Sequence, residues 1–152
     1  MGEWRFAIIR AATEHDLHEL LNLYRHLHPH EPPLETATAE RVWSTLLRSS
    51  GMTVIVAQAA ERLLSSCTLA IVPNLSRGGR SYGVIENVVT HADHRRLGLG
   101  RRVLAHALDL AWQADCYKVH LATGSMRETT LAFYEDAGFQ RGGKTYFEVR
   151  RP

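Results

Sequence analysis

The sequence predicts a mixed α/β fold, an α+β arrangement around a mixed sheet, in a single domain spanning residues 1–152. Three observations predict it. The length of 152 residues suffices for one substantial hydrophobic core and is short for two. Hydrophobic residues make 45% and charged residues 22%, a balance that excludes disordered and low-complexity chains. Along the chain the apolar period switches repeatedly between two and 3.6, in the order βααβββαβαβ.

Arg5 to Arg10 reads as the first strand. Thr13, with Asp16 three residues on, caps the helix that follows. Leu17, Leu20, Leu21, Tyr24 and Leu27 recur at helical spacing, and three prolines within His28 to Pro33 end the pattern. A second helix covers Ala39 to Arg48, with Val42, Trp43, Leu46 and Leu47 as its apolar stripe. Beyond Gly51, Thr53 to Ala57 is a β-branched run, and Leu63 to Val72 alternates as a two-sided strand. Ser81 to Thr90 carries apolar residues on both faces and is expected at the centre of the sheet.

His91 to Arg96 leads through Gly98 and Gly100 into a long helix whose apolar face is Val103, Leu104, Ala107, Leu108 and Ala111. Cys116 to Thr123 reads as a strand, and Ser125 to Glu135 as a helix opened by a capping box of Ser125 and Glu128. Arg141 to Arg150 reads as a last strand.

Composition bounds the function. The net charge is only +2, from 18 basic and 16 acidic residues, which argues against binding a nucleic acid by bulk phosphate neutralisation. The basic set comprises 16 Arg and 2 Lys. Genome composition accounts for such an excess, and so does selective anion binding by some of the guanidinium forks. Two cysteines make no disulfide framework. The N-terminal apolar run is too short and too charged for a signal peptide, and no stretch approaches the ~18 apolar residues of a membrane span. The expected compartment is the cytoplasm, with both thiols reduced.

The strongest motif is Arg95-Arg96-Leu97-Gly98-Leu99-Gly100-Arg101-Arg102, between a buried strand and a long helix. Two glycines there allow a tight turn whose N–H groups converge at a helix N-terminus, a geometry suited to a pyrophosphate. A P-loop is absent, and Val103 occupies the third glycine slot of a dinucleotide fingerprint. Nine histidines raise the question of a metal, above all His26, His28 and His30. Their period of two aligns only on a strand, and no cysteine or carboxylate pair completes a ligand set, so no metal is expected.

Strand, then Arg95-x-x-Gly98-x-Gly100, then helix, strand, and a helix ending Phe133-Tyr134-Glu135-Asp136-Ala137-Gly138-Phe139, resembles the GNAT superfamily of acetyl-CoA-dependent N-acetyltransferases. The element order agrees over nearly the whole chain. The resemblance implies an acyltransferase with acetyl-CoA as cofactor. It implies that the turn through Arg95, Arg96, Leu97, Gly98, Leu99, Gly100 and Arg101 cradles the CoA pyrophosphate. It also implies that Val88, Val89 and Thr90 pair with the pantetheine arm at a splay in the central sheet, much as an added strand would.

The resemblance makes Tyr134 the acid that protonates the departing thiolate; an aromatic core with Phe133 and Phe139 also accounts for it. Glu86 is a carboxylate in an otherwise apolar strand, costly to bury unless paired or lining a cleft. It serves either as general base for the acceptor amine or as a structural carboxylate. Backbone N–H groups beside Asn87 and Val88 can face the acetyl oxygen. Arg127 and Thr130 depart from the family pattern, which commonly has Asn and Ala there; an arginine at that place can reach a phosphate. Tyr24, Trp43 and Tyr82, with the His28 to Pro33 loop, are candidates to line the acceptor cleft. The resulting expectation is acetyl transfer to a primary amine of a small molecule or peptide, without nucleic-acid or membrane partners, by a possible homodimer. A non-catalytic CoA-binding sensor or interaction module is the competing expectation.

Overall fold

Val54, Ile55, Val56 and Ala57 are buried on both faces of the chain's second strand, so helices must cover the sheet from two sides. The computed structural model describes residues 2–152. Strands β1 (Ile8–Ala11), β2 (Met52–Ala59), β3 (Arg62–Val72), β4 (Tyr82–Thr90) and β5 (Val119–Leu121) form one sheet in the order β1-β2-β3-β4-β5. The first three pairings are antiparallel, and β4–β5 is parallel. Helices α1 (Leu17–Tyr24) and α2 (Thr36–Arg48) lie on one face, and α3 (Leu99–Gln113) and α4 (Glu128–Asp136) on the other.

Two hydrophobic clusters follow from β2's alternation. Ile55, Ala57 and Ala59 meet Val103, Leu104, Ala107 and Ala111 of α3, the face that 3.6-residue periodicity predicts. Val54 and Val56 meet Leu20, Leu23 and Trp43 from α1 and α2.

Two register shifts set which side chains face which layer. Opposite Ala57 and Gln58, β3 carries one extra residue at Leu64. Leu64 therefore enters the same cluster as Cys67, three positions on, which plain alternation would place on the opposite face. Between the pairs Ser66–Val89 and Thr68–Glu86, β4 carries one residue more than β3. Asn87 lies in this bulge with φ of 53°, a left-handed conformation that Asn tolerates better than most residues. The extra residue reverses the alternation: Ile85 points to the α3 side and Val89 to the α1–α2 side.

Several boundaries differ from expectation. Glu3–Phe6 is a 3-10 turn, so β1 begins only at Ile8. The buried residues of α2 are Ala39 and Trp43, whereas Val42 and Leu47 are exposed; the helix is rotated so that positions i and i+4 enter the core. Helix α4 starts at Glu128 with Arg127 as N-cap, not at Ser125. The Ser125 hydroxyl instead accepts from Arg127 N–H at 3.3 Å and donates to Thr130 Oγ1 at 3.1 Å. β5 is three residues long instead of eight. Residues 141–150 carry no strand, so the order observed among the described residues is βααβββαβα. No helix among those residues is long and apolar enough to cross a membrane.

Candidate active site

The β4–β5 ladder contains Gly83–Val119, Val84–His120 and Ile85–Leu121, and ends there. Glu86 is thus the first β4 residue beyond the last pair, where the two strands part. The sheet is splayed at this point, as expected. β4 then bulges at Asn87 and runs on through Val88, Val89 and Thr90 along a cleft of about 570 Å³. Opposite them the cleft is walled by Phe133, Tyr134, Thr130 and Arg127 of the α4 region, and at its end by the turn into α3.

That turn is built for an anion. Arg96 (φ 62°) and Gly98 (φ 79°) both occupy the left-handed region two residues apart, an alternation that turns successive amides toward one concavity. Gly98 caps α3 without a side-chain hydrogen bond. The first helical bond is Arg102 N–H to Gly98 C=O at 3.0 Å, which leaves the amides of Leu99, Gly100 and Arg101 without intrahelical partners. The positive end of a 15-residue helix adds to them. Gly100 is required for packing: a Cβ there would stand 3.1 Å from both Phe133 Cζ and Thr90 Oγ1. Arg95, Arg96, Gly98, Leu99, Gly100 and Arg101 all line the cleft. Leu97 is not among the lining residues, and the Leu99 side chain is buried in the core.

The arginines divide their work. Arg102 turns back to donate to Ala7 C=O. Arg95 donates from Nε to Thr90 C=O at 3.3 Å and from Nη2 to His26 C=O at 3.5 Å, fastening the turn to β4 and to the end of α1. Arg96 and Arg101 are exposed at the cleft's rim.

Tyr134 lies at the junction of this cleft with a second one, about 500 Å³, that runs beside β5 and α4. Its ring packs edge-on against Phe133 at 5.0 Å and Phe139 at 6.3 Å. Burial chiefly, then the neighbouring Cys67 and Glu86, push the phenol above its ordinary range, so it keeps its proton at neutral pH. Glu86 was expected to be costly to bury; it is exposed instead. Helix α1 packs on β3 and on β4 around Val89, and α2 packs on β2; Glu86 makes no side-chain hydrogen bond or ion pair among the described residues.

The acceptor-cleft candidates separate. Trp43 is buried in the core, and its indole N–H donates to Glu14 C=O at 3.4 Å; it lines no cleft, because the rotation of α2 carries it inward. Tyr24 is half-buried, with burial raising its phenol pKa and the Thr68 hydroxyl beside it. Tyr24 also borders a 470 Å³ hollow under the His28 to Pro33 loop. Tyr82 lies on the β4–β5 face, its ring stacked at 5.9 Å on His120.

Sequence reasoning missed a histidine cluster at the cleft mouth. His91 packs at a tilt against His26, ring centroids 4.1 Å apart, and edge-on against His94 at 5.1 Å, with Arg62 Nη2 3.2 Å from its Nε2. Burial first, then His26, Arg62 and His94, lower its pKa. His26 thus turns away from His28 and His30, which stay exposed in the loop. It also missed the bulge, although Asn87 inside a β-branched run was its signal. Both cysteines are free and buried, and burial pushes the Cys67 thiol up to about 12, which makes it a packing residue and no nucleophile.

Residues 15–139 match the family model described as the acetyltransferase (GNAT) family. The chain belongs to the GNAT acetyltransferases. A glucosamine 6-phosphate N-acetyltransferase of Trypanosoma brucei brucei is 34% identical over 133 residues, covering 87% of this chain and 88% of that protein. A probable glucosamine 6-phosphate N-acetyltransferase 2 of Oryza sativa subsp. japonica is 37% identical over 83 residues, 54% of this chain and 48% of that one. Among solved structures, a chain from Agrobacterium tumefaciens str. C58 superposes with a TM-score of 0.91 at 44% identity, covering 95% of this chain and 99% of that chain. As a GNAT enzyme the chain is an acyltransferase with acetyl-CoA as its donor, and the cleft fits that donor: an anion-binding turn at one end, an open strand edge along its length, and the phenol of Tyr134 in its wall.

Proposed function

We propose that this GNAT enzyme acetylates the primary amine of a small phosphorylated amino sugar of the glucosamine 6-phosphate kind, by direct attack and in the cytoplasm. The observation that carries the reading is the position of Glu86 and Tyr134 around the gap where β4 and β5 part. Similarity over 87% of the chain to an enzyme named for that substrate supports the acceptor, and two free thiols support a reducing compartment.

Acetyl-CoA, when bound, supplies an activated acyl group as a thioester. The amides of the turn from Arg96 to Arg101 hold its pyrophosphate, and Val88 to Thr90 align its amide-bearing arm as an added strand. Glu86, open to water, accepts a proton from the acceptor's ammonium group, directly or through water. Amides beside the Asn87 bulge donate to the carbonyl oxygen as negative charge develops there. Tyr134 keeps its proton at neutral pH and delivers it to the departing sulfur. Tyr24, Tyr82 and the His28 to Pro33 loop bound the acceptor.

Release of free CoA, followed with a thiol reagent against a panel of amines, tests the proposal. Glucosamine 6-phosphate is expected to exceed unphosphorylated glucosamine in kcat/KM by about 10- to 100-fold, the worth of one or two charge-assisted contacts. Equal use of the two sugars, or a preference for a polyamine or aminoglycoside, contradicts the acceptor. A Glu86→Gln enzyme with unchanged kcat contradicts the base.

A further inference from the structure

Three histidine rings and an arginine meet where β4 runs into the donor turn, and the proposed transfer uses none of them. His91 follows the last residue of β4, and His26 lies two residues past α1. His94 closes the short 3-10 turn Ala92–His94, and Arg62 opens β3. Arg95, the first residue of the donor turn, comes directly after His94.

The groups around His91 are nearly all donors. Arg62 Nη2 stands 3.2 Å from His91 Nε2, and a guanidinium can only donate. On the ring's other side, Asp93 N–H donates to His91 Nδ1 at 3.3 Å, and His94 Nδ1 lies 3.4 Å from it. His26 is placed alike: its Nδ1 accepts from Ala92 N–H at 3.4 Å, and its backbone C=O accepts from Arg95 Nη2 at 3.5 Å. A neutral imidazole has one bare nitrogen with which to accept; an imidazolium has none. Protonation of either ring therefore sets N–H against N–H and adds a positive charge to a cationic cluster. Asp93 is the acid that faces the cluster, with Oδ2 3.9 Å from His91 Nδ1 and a side chain 84% exposed, so water screens most of its attraction. Burial, and then His26, Arg62 and His94, hold His91 below the ordinary histidine range.

What the two rings hold is the entry to the donor turn. Ala92 and Asp93 carry the held amides, and Arg95 then binds back to Thr90 C=O. Without those bonds the segment from His91 to Arg95 loses much of its fastening to α1, just before the left-handed Arg96. Attraction of the donor's phosphates by an imidazolium acts the other way, at His26 and His94, which line the cleft. His91 is not among the lining residues, and its ring meets Arg62 and two other imidazoles before any phosphate.

We propose that His91 and His26 are positioning residues for the donor: their neutral rings hold the Ala92 and Asp93 amides, and with them the turn that cradles the pyrophosphate, and protonation releases that turn. With the Arg96 to Arg101 turn as the donor site, the reading on which this assignment rests, donor binding weakens as pH falls through the histidine range near ~6.5. The loosened turn takes up protons that the fastened turn excludes.

Calorimetric titration of the full chain with dephospho-CoA tests this, because the probe's pyrophosphate keeps its charge across the range. Its Kd is expected to rise about tenfold between pH ~7.5 and pH ~5.5. Buffers of different ionisation enthalpy are expected to show protons released on binding near pH ~6.5. His91→Asn puts an oxygen where Nδ1 stands, accepts from Asp93 N–H as an N-cap does, and does not titrate. This variant is expected to bind like the parent at pH ~7.5 and to lose only about threefold or less in acid. Circular dichroism at both pH values distinguishes a released turn from an unfolded chain. Equal affinity at the two pH values, tighter binding in acid, proton uptake on binding, or an undiminished acid loss in His91→Asn overturns the proposal. The proton count is read on the unaltered chain, so it decides the matter even where His91→Asn does not fold. Gly100→Val separates the two readings: unchanged affinity at pH ~7.5 removes the turn from the donor site and the histidines with it. A weakened Gly100→Val beside a pH-independent parent removes the histidines alone.

Discussion

Arg10 grips Asp16 through two parallel hydrogen bonds, Nη1 to Oδ2 and Nη2 to Oδ1, each 2.7 Å long. Thr13 N–H donates to the same Oδ2 at 2.7 Å, and Arg10 Nε donates to Gln58 Oε1 at 2.8 Å. The first strand, the first helix and the second strand are thereby tied at one point. The Arg10 hydrogen bonds, above all, hold the Asp16 carboxyl below its usual range, against the opposing effect of burial. A depressed carboxyl contributes stability that is present above its unfolded pKa, near ~3.9, and is lost as pH falls through the folded value. Asp16→Asn is expected to lower stability by about 2 kcal/mol at pH 7 and by much less at pH 2. Urea denaturation at the two pH values checks this; the same difference at both contradicts it.

Tyr134→Phe is expected to reduce kcat by about 10²-fold or more while leaving acetyl-CoA affinity in place. Burial raises the phenol's pKa, so activity that depends on its proton persists above pH ~10, the ordinary range of a tyrosine. A pH–rate profile reads this directly. A mutant with wild-type turnover removes Tyr134 from the chemistry.

Gly98 and Gly100 are needed for different reasons, and their substitutions should behave differently. Nothing lies within 4 Å of a Cβ at Gly98, so Gly98→Ala costs about 1 kcal/mol of backbone strain alone. Gly100→Val pushes against Phe133 and Thr90, two walls of the cleft. We expect donor affinity to fall at least about tenfold for Gly100→Val, and less for Gly98→Ala. Isothermal titration with CoA measures both.

Asn87 tests the bulge. Gly at this position keeps the left-handed backbone without strain and is expected to stay within about 0.5 kcal/mol of the parent. Asn87→Val is expected to cost about 1–2 kcal/mol. Thermal melts that rank the two variants the other way would show that the Asn side chain, rather than the backbone, holds the bulge.

What could be read beforehand was whatever local periodicity controls. Val103, Leu104, Ala107 and Ala111 form the inner face of α3 because a 3.6-residue repeat has one solution. The glycine turn was legible because only a few geometries join a strand to a helix at that spacing. Trp43 and Glu86 were misjudged for a common reason: alternation says which residues share a face, but not which part of that face a helix covers. Asn87 escaped notice because one extra residue changes register without changing composition. Residues 144–150 have the alternation of a strand, and a strand needs a neighbour that alternation by itself does not supply.

The extra residue in β4 gives chain length a chemical meaning there. Deleting Asn87 would let β4 match β3 residue for residue, so Val88, Val89 and Thr90 would keep both their pairings and the faces they now present. The hydroxyl pair Ser65–Thr90, 2.9 Å apart, would survive with them. What would close is the break in the ladder just beyond Glu86. Among descendants of this sequence, a single-codon deletion at this position would therefore spare the core and be felt at the opening of the cleft.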